Sequence, residues 1–241
     1  FSEGRRKEVI EAIVEPFRIA VGVRLLDYAP DPDHNRTVVT VAGDPENVLA
    51  AVFDAIRTAT TLIDMETHTG EHPRMGATDV VPFVPVREID MKECVDLARR
   101  LGSRVGEELG IPVYLYEAAA TRPARTNLAD IRKGQHEGWK TKINDPEWQP
   151  DFGPSELHPS AGATVVGARM PLVAFNVNLG TSDIRIANSI ARAVRNISGG
   201  LRFVKALGIE MQDRGIVQVS MNLTDYTRTP IYRAMEMIRA E

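Results

Sequence analysis

Cys94 is the only cysteine among 241 residues, so no intrachain disulfide can form and an oxidising compartment is not implied. Runs approaching the roughly eighteen apolar residues of a membrane span are missing as well. So is any basic excess: 29 Lys and Arg against 33 Asp and Glu leave a net charge of -4, which argues against nucleic acid, whose phosphates need a basic face. No Gly-x-Ser-x-Gly, Walker or Gly-x-Gly-x-x-Gly pattern occurs, leaving nucleophilic serine chemistry, P-loop nucleotide binding and a Rossmann dinucleotide site unsupported. The chain opens on Phe1-Ser2-Glu3-Gly4 with neither an initiator methionine nor a signal-peptide pattern. It is therefore expected to lack its true start and to be cytoplasmic. Without a secretory context, the Asn-x-Ser/Thr triplets at Asn35, Asn196 and Asn222 read as coincidence.

What is present is the composition of a globular protein, 43% hydrophobic and 26% charged. Val9, Ile10, Ala12 and Ile13 predict a short helix stopped by Pro16. Two strands, 21–28 and 36–42, flank a segment of turn formers, and Asp44-Pro45 opens a helix carrying Val48, Leu49, Val52, Phe53 and Ile56 on one face. A buried strand is expected over 80–86, a helix from Asp90 to Gly110 and a strand over 111–116. From Ala118 to Gly162 periodicity fades, with a short helix near 128–134; a loop region that long is usually functional. Beyond it come strands at 163–167 and 172–179, a helix capped by Ser182 or Asp183, and strands at 201–207 and 215–223 joined by a turn at Asp213, Arg214 and Gly215. A last helix begins at Pro230. The order of elements repeats, and both halves fit β-α-β-β-α-β with ends clipped. The fold class expected is α+β: two ferredoxin-like α/β sandwich subdomains by duplication, 1–168 and 169–241, with a ligand in the crevice between them.

The densest cluster of titratable groups is Thr67-His68-Thr69-Gly70-Glu71-His72-Pro73-Arg74-Met75-Gly76-Ala77-Thr78-Asp79. His68 and His72 have the spacing of helical metal ligands, but Gly70, Pro73 and Gly76 exclude the helix that would put them on one face, so no metal is expected. An imidazole pinned beside Glu71 and Arg74 suits general acid/base work. It suits equally well a hydrogen bond that merely holds the loop, and on the residues alone the two readings stand level. Cys94 lies on the apolar stripe of its helix and reads as a packed thiol. Asp27 and Asn35-Arg36 fall at strand ends where they would meet the same edge, and Arg36 has the forked donor geometry for a carboxylate or for closing a turn. Asn176 and Asn178, two apart, share one strand face, as a ligand-reading surface or an exposed polar face.

The blocks Phe1-Ser2-Glu3-Gly4, Asn35-Arg36-Thr37-Val38, Leu62-Ile63-Asp64-Met65, Gly70-Glu71-His72-Pro73-Arg74-Met75-Gly76-Ala77, Pro112-Val113-Tyr114-Leu115-Tyr116, Asp151-Phe152-Gly153-Pro154-Ser155 and Ala174-Phe175-Asn176-Val177-Asn178-Leu179 resemble the glutamate formimidoyltransferase family. Animal members of that family form the front domain of formiminotransferase-cyclodeaminase. The resemblance runs across nearly the whole chain. It implies transfer of a formimino group between N-formimino-L-glutamate and tetrahydrofolate, as in histidine degradation and one-carbon metabolism, with folate as co-substrate, no metal, and a homodimer. It places the catalytic histidine on His72 and the folate segment on Gly153, Pro154, Ser155, Glu156, Leu157, His158, Pro159, Ser160, Ala161 and Gly162. Arg36 and Arg74 become candidates for substrate carboxylates. Leu157 and Ala161 stand where the animal enzymes carry aromatic residues, so ring stacking is expected to be weaker here or to come from elsewhere. A formyl donor in place of formimino, or folate binding without turnover, are the rival readings.

Overall fold

The computed structural model describes residues 1–211 and 214–241; Asp213, part of the expected turn at 213–215, lies outside the described residues. The chain divides into two compact units, Phe1–Arg169 and Met170–Glu241. Both hold sheets and helices, an α+β organisation.

In the first unit, α1 (Lys7–Ile19) and α2 (Pro45–Leu62) back an antiparallel hairpin of β1 (Val23–Asp31) and β2 (Arg36–Gly43). Asp44 caps α2 by accepting from the amides of Glu46 and Asn47, ahead of Pro45, as the sequence requires. Pro16, expected to end the first helix, sits inside α1 instead. Val9, Ile10, Ile13, Val14 and Phe17 are all buried on either side of it. Their burial outweighs a proline cost of about 3 kcal/mol. The amino group of Phe1 donates to Thr37 O at 2.9 Å, the Thr37 amide donates back to Phe1 O at 2.9 Å, and the Ser2 amide donates to Ala77 O at 2.9 Å. The first residues thereby tie the hairpin to the loop that carries His72.

Besides the hairpin layer the first unit holds a second sheet, which the element order did not reveal. β3 (Val80–Phe83) pairs with β5 (Thr164–Ala168), and β5 with β4 (Val113–Glu117), in a parallel sheet of order β3-β5-β4. Helix α3 (Met91–Leu109), with a capping box of Asp90 and Glu93 and a left-handed Gly110 at its end, covers one face. Val113, Leu115, Val166 and Ala168 join the main core on that side, while Tyr114, Tyr116 and Val165 point the other way into a cluster with Trp139, Ile131 and Met75. Burial on both faces is why β4 and β5 read as continuous apolar runs.

The span from Ala118 to Gly162, expected to be irregular with one short helix, carries α4 (Leu128–Arg132) and α5 (Gln135–Lys142). It is held by Arg125, whose side chain is 1% exposed. Arg125 donates to Asp151 Oδ2 at 2.7 Å, to Glu147 O at 3.1 Å and to Gln149 O. Asp151 Oδ2 also accepts from the Leu115 amide at 2.8 Å, fastening the span to β4. Polar contacts between residues distant in sequence leave no periodic signature, so this order was invisible in the sequence.

The second unit matches the split arrangement closely: β6 (Val173–Leu179), α6 (Ile184–Val194), β7 (Val204–Met211), β8 (Ile216–Leu223) and α7 (Ile231–Ala240), with sheet order β6-β8-β7, antiparallel throughout. Its core lies between the sheet and the two helices. β7 starts at Val204 rather than at the expected Leu201, because Phe203 has a φ of 70°, outside extended backbone.

Breaking a buried ion pair by removing one partner costs about 3–5 kcal/mol. Arg125→Met is therefore expected to lower stability by that order, read by urea unfolding followed through tryptophan fluorescence. Both tryptophans, Trp139 and Trp148, lie in the span that Arg125 holds.

Candidate active site

The loop from Thr67 to Asp79 is irregular, as its glycines and proline require, and it is docked rather than free. The Ala77 amide donates to Ala161 O at 2.9 Å, the Ala163 amide to Met75 O at 3.1 Å, and the Met65 amide to Ser160 O at 2.7 Å. Gly76 and Gly162 form an antiparallel bridge. A Cβ on Gly76 would stand 2.1 Å from Ala163 O, so only glycine allows this approach. Gly162, at a φ of 68°, turns the chain back so that His158 and Gly162 exchange amide-to-carbonyl bonds of 3.1 Å each. The histidine loop and the 158–162 end of the 153–162 segment are thus one backbone-bonded assembly.

Within that assembly the two histidines differ sharply. His68 Nδ1 accepts from Arg74 Nε at 3.3 Å, leaving Nε2 to donate to Asn35 O at 3.0 Å. Both nitrogens are occupied, and burial first, with the Arg74 charge in support, pushes its pKa down. His68 is a neutral strut. His72 Nδ1 lies 3.2 Å from Arg36 Nη1, and its Nε2 stands 3.8 Å from Asp79 Oδ2, within ionic reach but longer than a hydrogen bond.

Asp79 is 7% exposed. Its Oδ1 accepts from the Met75 amide at 2.9 Å, and its Oδ2 pairs with Arg132 of α4. Burial alone would push this carboxyl up, but the His72 imidazole, the Arg132 charge and the Met75 amide outweigh it and hold the pKa below the ordinary carboxylate range.

Arg74, 8% exposed along its side chain, is committed elsewhere. Besides His68 Nδ1, its guanidinium donates to His68 O at 3.0 Å, Gln135 Oε1 at 2.9 Å and the Glu137 carboxylate at 2.7 and 3.0 Å. That fork joins the loop to α5. Arg36 is half-buried at the start of β2 and makes no ion pair among the described residues.

In the 153–162 segment, Gly153, Ser155, Glu156 and Pro159 are exposed, and Ser155 Oγ donates to Gln149 Oε1 at 2.5 Å. His158 Nδ1 accepts from the Ser160 and Ala161 amides at 3.3 and 3.0 Å, and burial lowers its pKa. Leu157 packs against the cluster of Met75 and Trp139, and Ala161 is 1% exposed in the core. Neither offers a surface for stacking an aromatic ring. In the second unit, Asn176 and Asn178 are exposed on one face of β6, and Gln218 Nε2 donates to Asn178 Oδ1 at 2.8 Å.

Residues 1–169 match the Formiminotransferase domain, N-terminal subdomain, and residues 174–241 match the Formiminotransferase domain. The chain belongs to the formiminotransferase family. A glutamate formimidoyltransferase of Streptococcus pyogenes serotype M1 is 49% identical over 241 residues, all of this chain and 81% of that protein. One from Thermoplasma acidophilum is 51% identical over 243 residues, all of this chain and 80% of that protein. The formimidoyltransferase-cyclodeaminase of Rattus norvegicus is 46% identical over the whole of this chain, which spans 46% of it.

For this formiminotransferase-family chain, sequence reasoning missed Asp79 and Arg132. Asp79 carried a signal, an acid set directly before an apolar run expected to be a strand, where it must find partners. Arg132 carried none, since 53 residues separate it from Asp79.

A carboxyl whose folded pKa is depressed contributes stability that is present above its unfolded value, about 3.9 for Asp. That contribution is lost as pH falls through the folded value. Asp79→Asn is accordingly expected to be less stable than wild type at pH 7, with the gap narrowing below about pH 4. Thermal unfolding of both proteins across pH checks this; a gap that is constant with pH would contradict it.

Proposed function

We propose that this chain transfers a formimino group between N-formimino-L-glutamate and tetrahydrofolate, with His72 as the general acid/base. Membership of the formiminotransferase family over both units, at about half identity to proteins named glutamate formimidoyltransferase, is the observation that carries the reading. The geometry supports it: of the two loop histidines, His68 is spent on the scaffold, while the His72 ring contacts the Arg36 side chain at Nδ1 and meets the Asp79 carboxylate at Nε2 only at 3.8 Å.

N5 of tetrahydrofolate attacks the amidine carbon, forming the new C–N bond and giving up its proton to His72. The tetrahedral intermediate then collapses. The bond from carbon to the glutamate nitrogen breaks, its electron pair stays on nitrogen, and His72 returns the proton there. Glutamate and 5-formiminotetrahydrofolate result, with the imidazole restored and neither a metal nor a covalent enzyme intermediate needed. Tetrahydrofolate is a co-substrate, and residues 153–162, whose 158–162 end is bonded to the histidine loop, are its contact segment. Because Leu157 and Ala161 face the core, hydrogen bonding rather than ring stacking from these positions orients the folate. Arg36 takes a substrate carboxylate in preference to Arg74, whose fork is already filled, and Asn176 and Asn178 offer exposed amides to a ligand. The protein acts on these small molecules as a cytoplasmic homodimer.

Mixing the protein with tetrahydrofolate and formiminoglutamate is expected to yield glutamate and the absorbance of a substituted folate. Use of formylglutamate alone would assign a formyl donor, and binding without turnover a folate-binding protein. His72→Ala is expected to lose about 10²- to 10⁴-fold in turnover, the usual worth of acid/base help, while still binding folate. Turnover near wild type would overturn the role of His72.

A further inference from the structure

A guanidinium carries five donors, no acceptor and a permanent charge. The 3.2 Å contact between Arg36 Nη1 and His72 Nδ1 therefore has one chemical reading, with Arg36 donating and Nδ1 accepting. The imidazole is then neutral, and its proton sits on Nε2, the nitrogen turned toward Asp79 at 3.8 Å. In this arrangement the lone pair that a general base must offer is already in use.

The surrounding charges make that contact an exchangeable one. Arg74 has Glu137, Arg132 has Asp79 and Arg125 has Asp151, whereas Arg36 makes no carboxylate pair among the described residues. Its side-chain hydrogen-bond partner among the described residues is a neutral ring nitrogen. A carboxylate forms a charge-assisted and bidentate bond to a guanidinium, about twice as strong as a bond between neutral groups. Asp79 does not serve Arg36 in this way, because its oxygens are held by Arg132 and the Met75 amide.

We propose that Arg36 is a substrate-displaced cap on the catalytic base: a carboxylate of the glutamate-bearing substrate draws the guanidinium off His72 Nδ1 and so frees the lone pair for the reaction. This rests on the assignment of His72 as the acid/base. The freed Nδ1 takes the proton released by the attacking amine. The imidazolium so formed keeps its Nε2–H toward Asp79, where the carboxylate now meets a full positive charge. Passing the Nδ1 proton to the departing glutamate nitrogen restores the neutral ring, and departure of glutamate returns Arg36 to it. Arg36 acts on the chemistry through His72 and is a positioning residue; Asp79, fixed by Arg132, faces the ring's other nitrogen.

Histidine-selective ¹⁵N labelling reads the cap directly, since the chain has five histidines and the His72 signals are identified by their loss in His72→Ala. In wild type, glutamate added without folate is expected to move the His72 Nδ1 resonance downfield, toward an unbonded imine nitrogen. In Arg36→Met the resonance is expected there already, with no further movement on adding glutamate; unchanged His68 and His158 signals report that the loop is intact. Arg36→Met is also expected to raise KM for formiminoglutamate about ten- to hundredfold, the range of a lost charge-assisted hydrogen bond, with a smaller effect on kcat than His72→Ala. A His72 Nδ1 resonance that ignores both glutamate and the substitution would overturn the cap. A kcat loss matching that of His72→Ala with unchanged KM would overturn it too. Failure of wild type to transfer formimino groups would instead remove the proposed function, and the resonance would still decide whether Arg36 caps the ring.

Discussion

The buried carboxylate of Asp79 is the point on which the candidate site depends. One oxygen fixes the backbone of the histidine loop through the Met75 amide, the other pairs with Arg132 at the end of α4, and the residue's carbonyl accepts from Val165 of the central strand β5. A charge this deep is tolerable only because cationic and amide partners outweigh its desolvation. Those partners come from separate stretches of the chain, so satisfying one carboxylate joins the loop to α4, while the same residue's carbonyl ties it to the parallel sheet. His72 stands against this anchor, its Nε2 3.8 Å from the carboxylate.

The polar groups around the anchor are sorted by how completely they are used. Arg74 and His68 satisfy each other and the backbone, and so convert two attractive functional candidates into scaffold. Arg125 does the same for the 118–152 span, which lets a long segment poor in hydrophobic periodicity fold with defined geometry. Arg36, by contrast, has no carboxylate among the described residues, and His72 Nε2 meets one only at 3.8 Å. In a folded interior, polar groups that are not paired off are where ligand chemistry has room to act.

Close backbone approach does the rest. The bridge between Gly76 and Gly162 brings the histidine loop against the turn at 158–162 at a distance no side chain would permit. The histidine loop, picked out by its titratable groups, and the 153–162 segment, given by the family resemblance, are joined by the Ala77 amide to Ala161 O, with the flanking Ala163 and Met65 amides bonded to Met75 O and Ser160 O beside it.

Much of the local structure was legible along the chain because its causes are local. Asp44-Pro45, the Asp90 and Glu93 box, Gly110 and Asp183 mark helix ends through their own backbone chemistry. Alternating apolar positions gave β6 and β8, and the glycines and proline of 70–76 gave an irregular loop. The failures were equally physical: Pro16 is carried through α1 by burial on both sides of it, and the parallel sheet arises from pairing between β3 and β5, strands more than 80 positions apart. By itself the sequence determined the family, the element order outside the 118–162 span and the candidate histidines, because motifs and periodicity are properties of neighbours. Only the tertiary structure decided which histidine is a strut, which arginine lacks a carboxylate and which acid anchors the site, because partnership between charges depends on burial and distance between residues far apart in the chain.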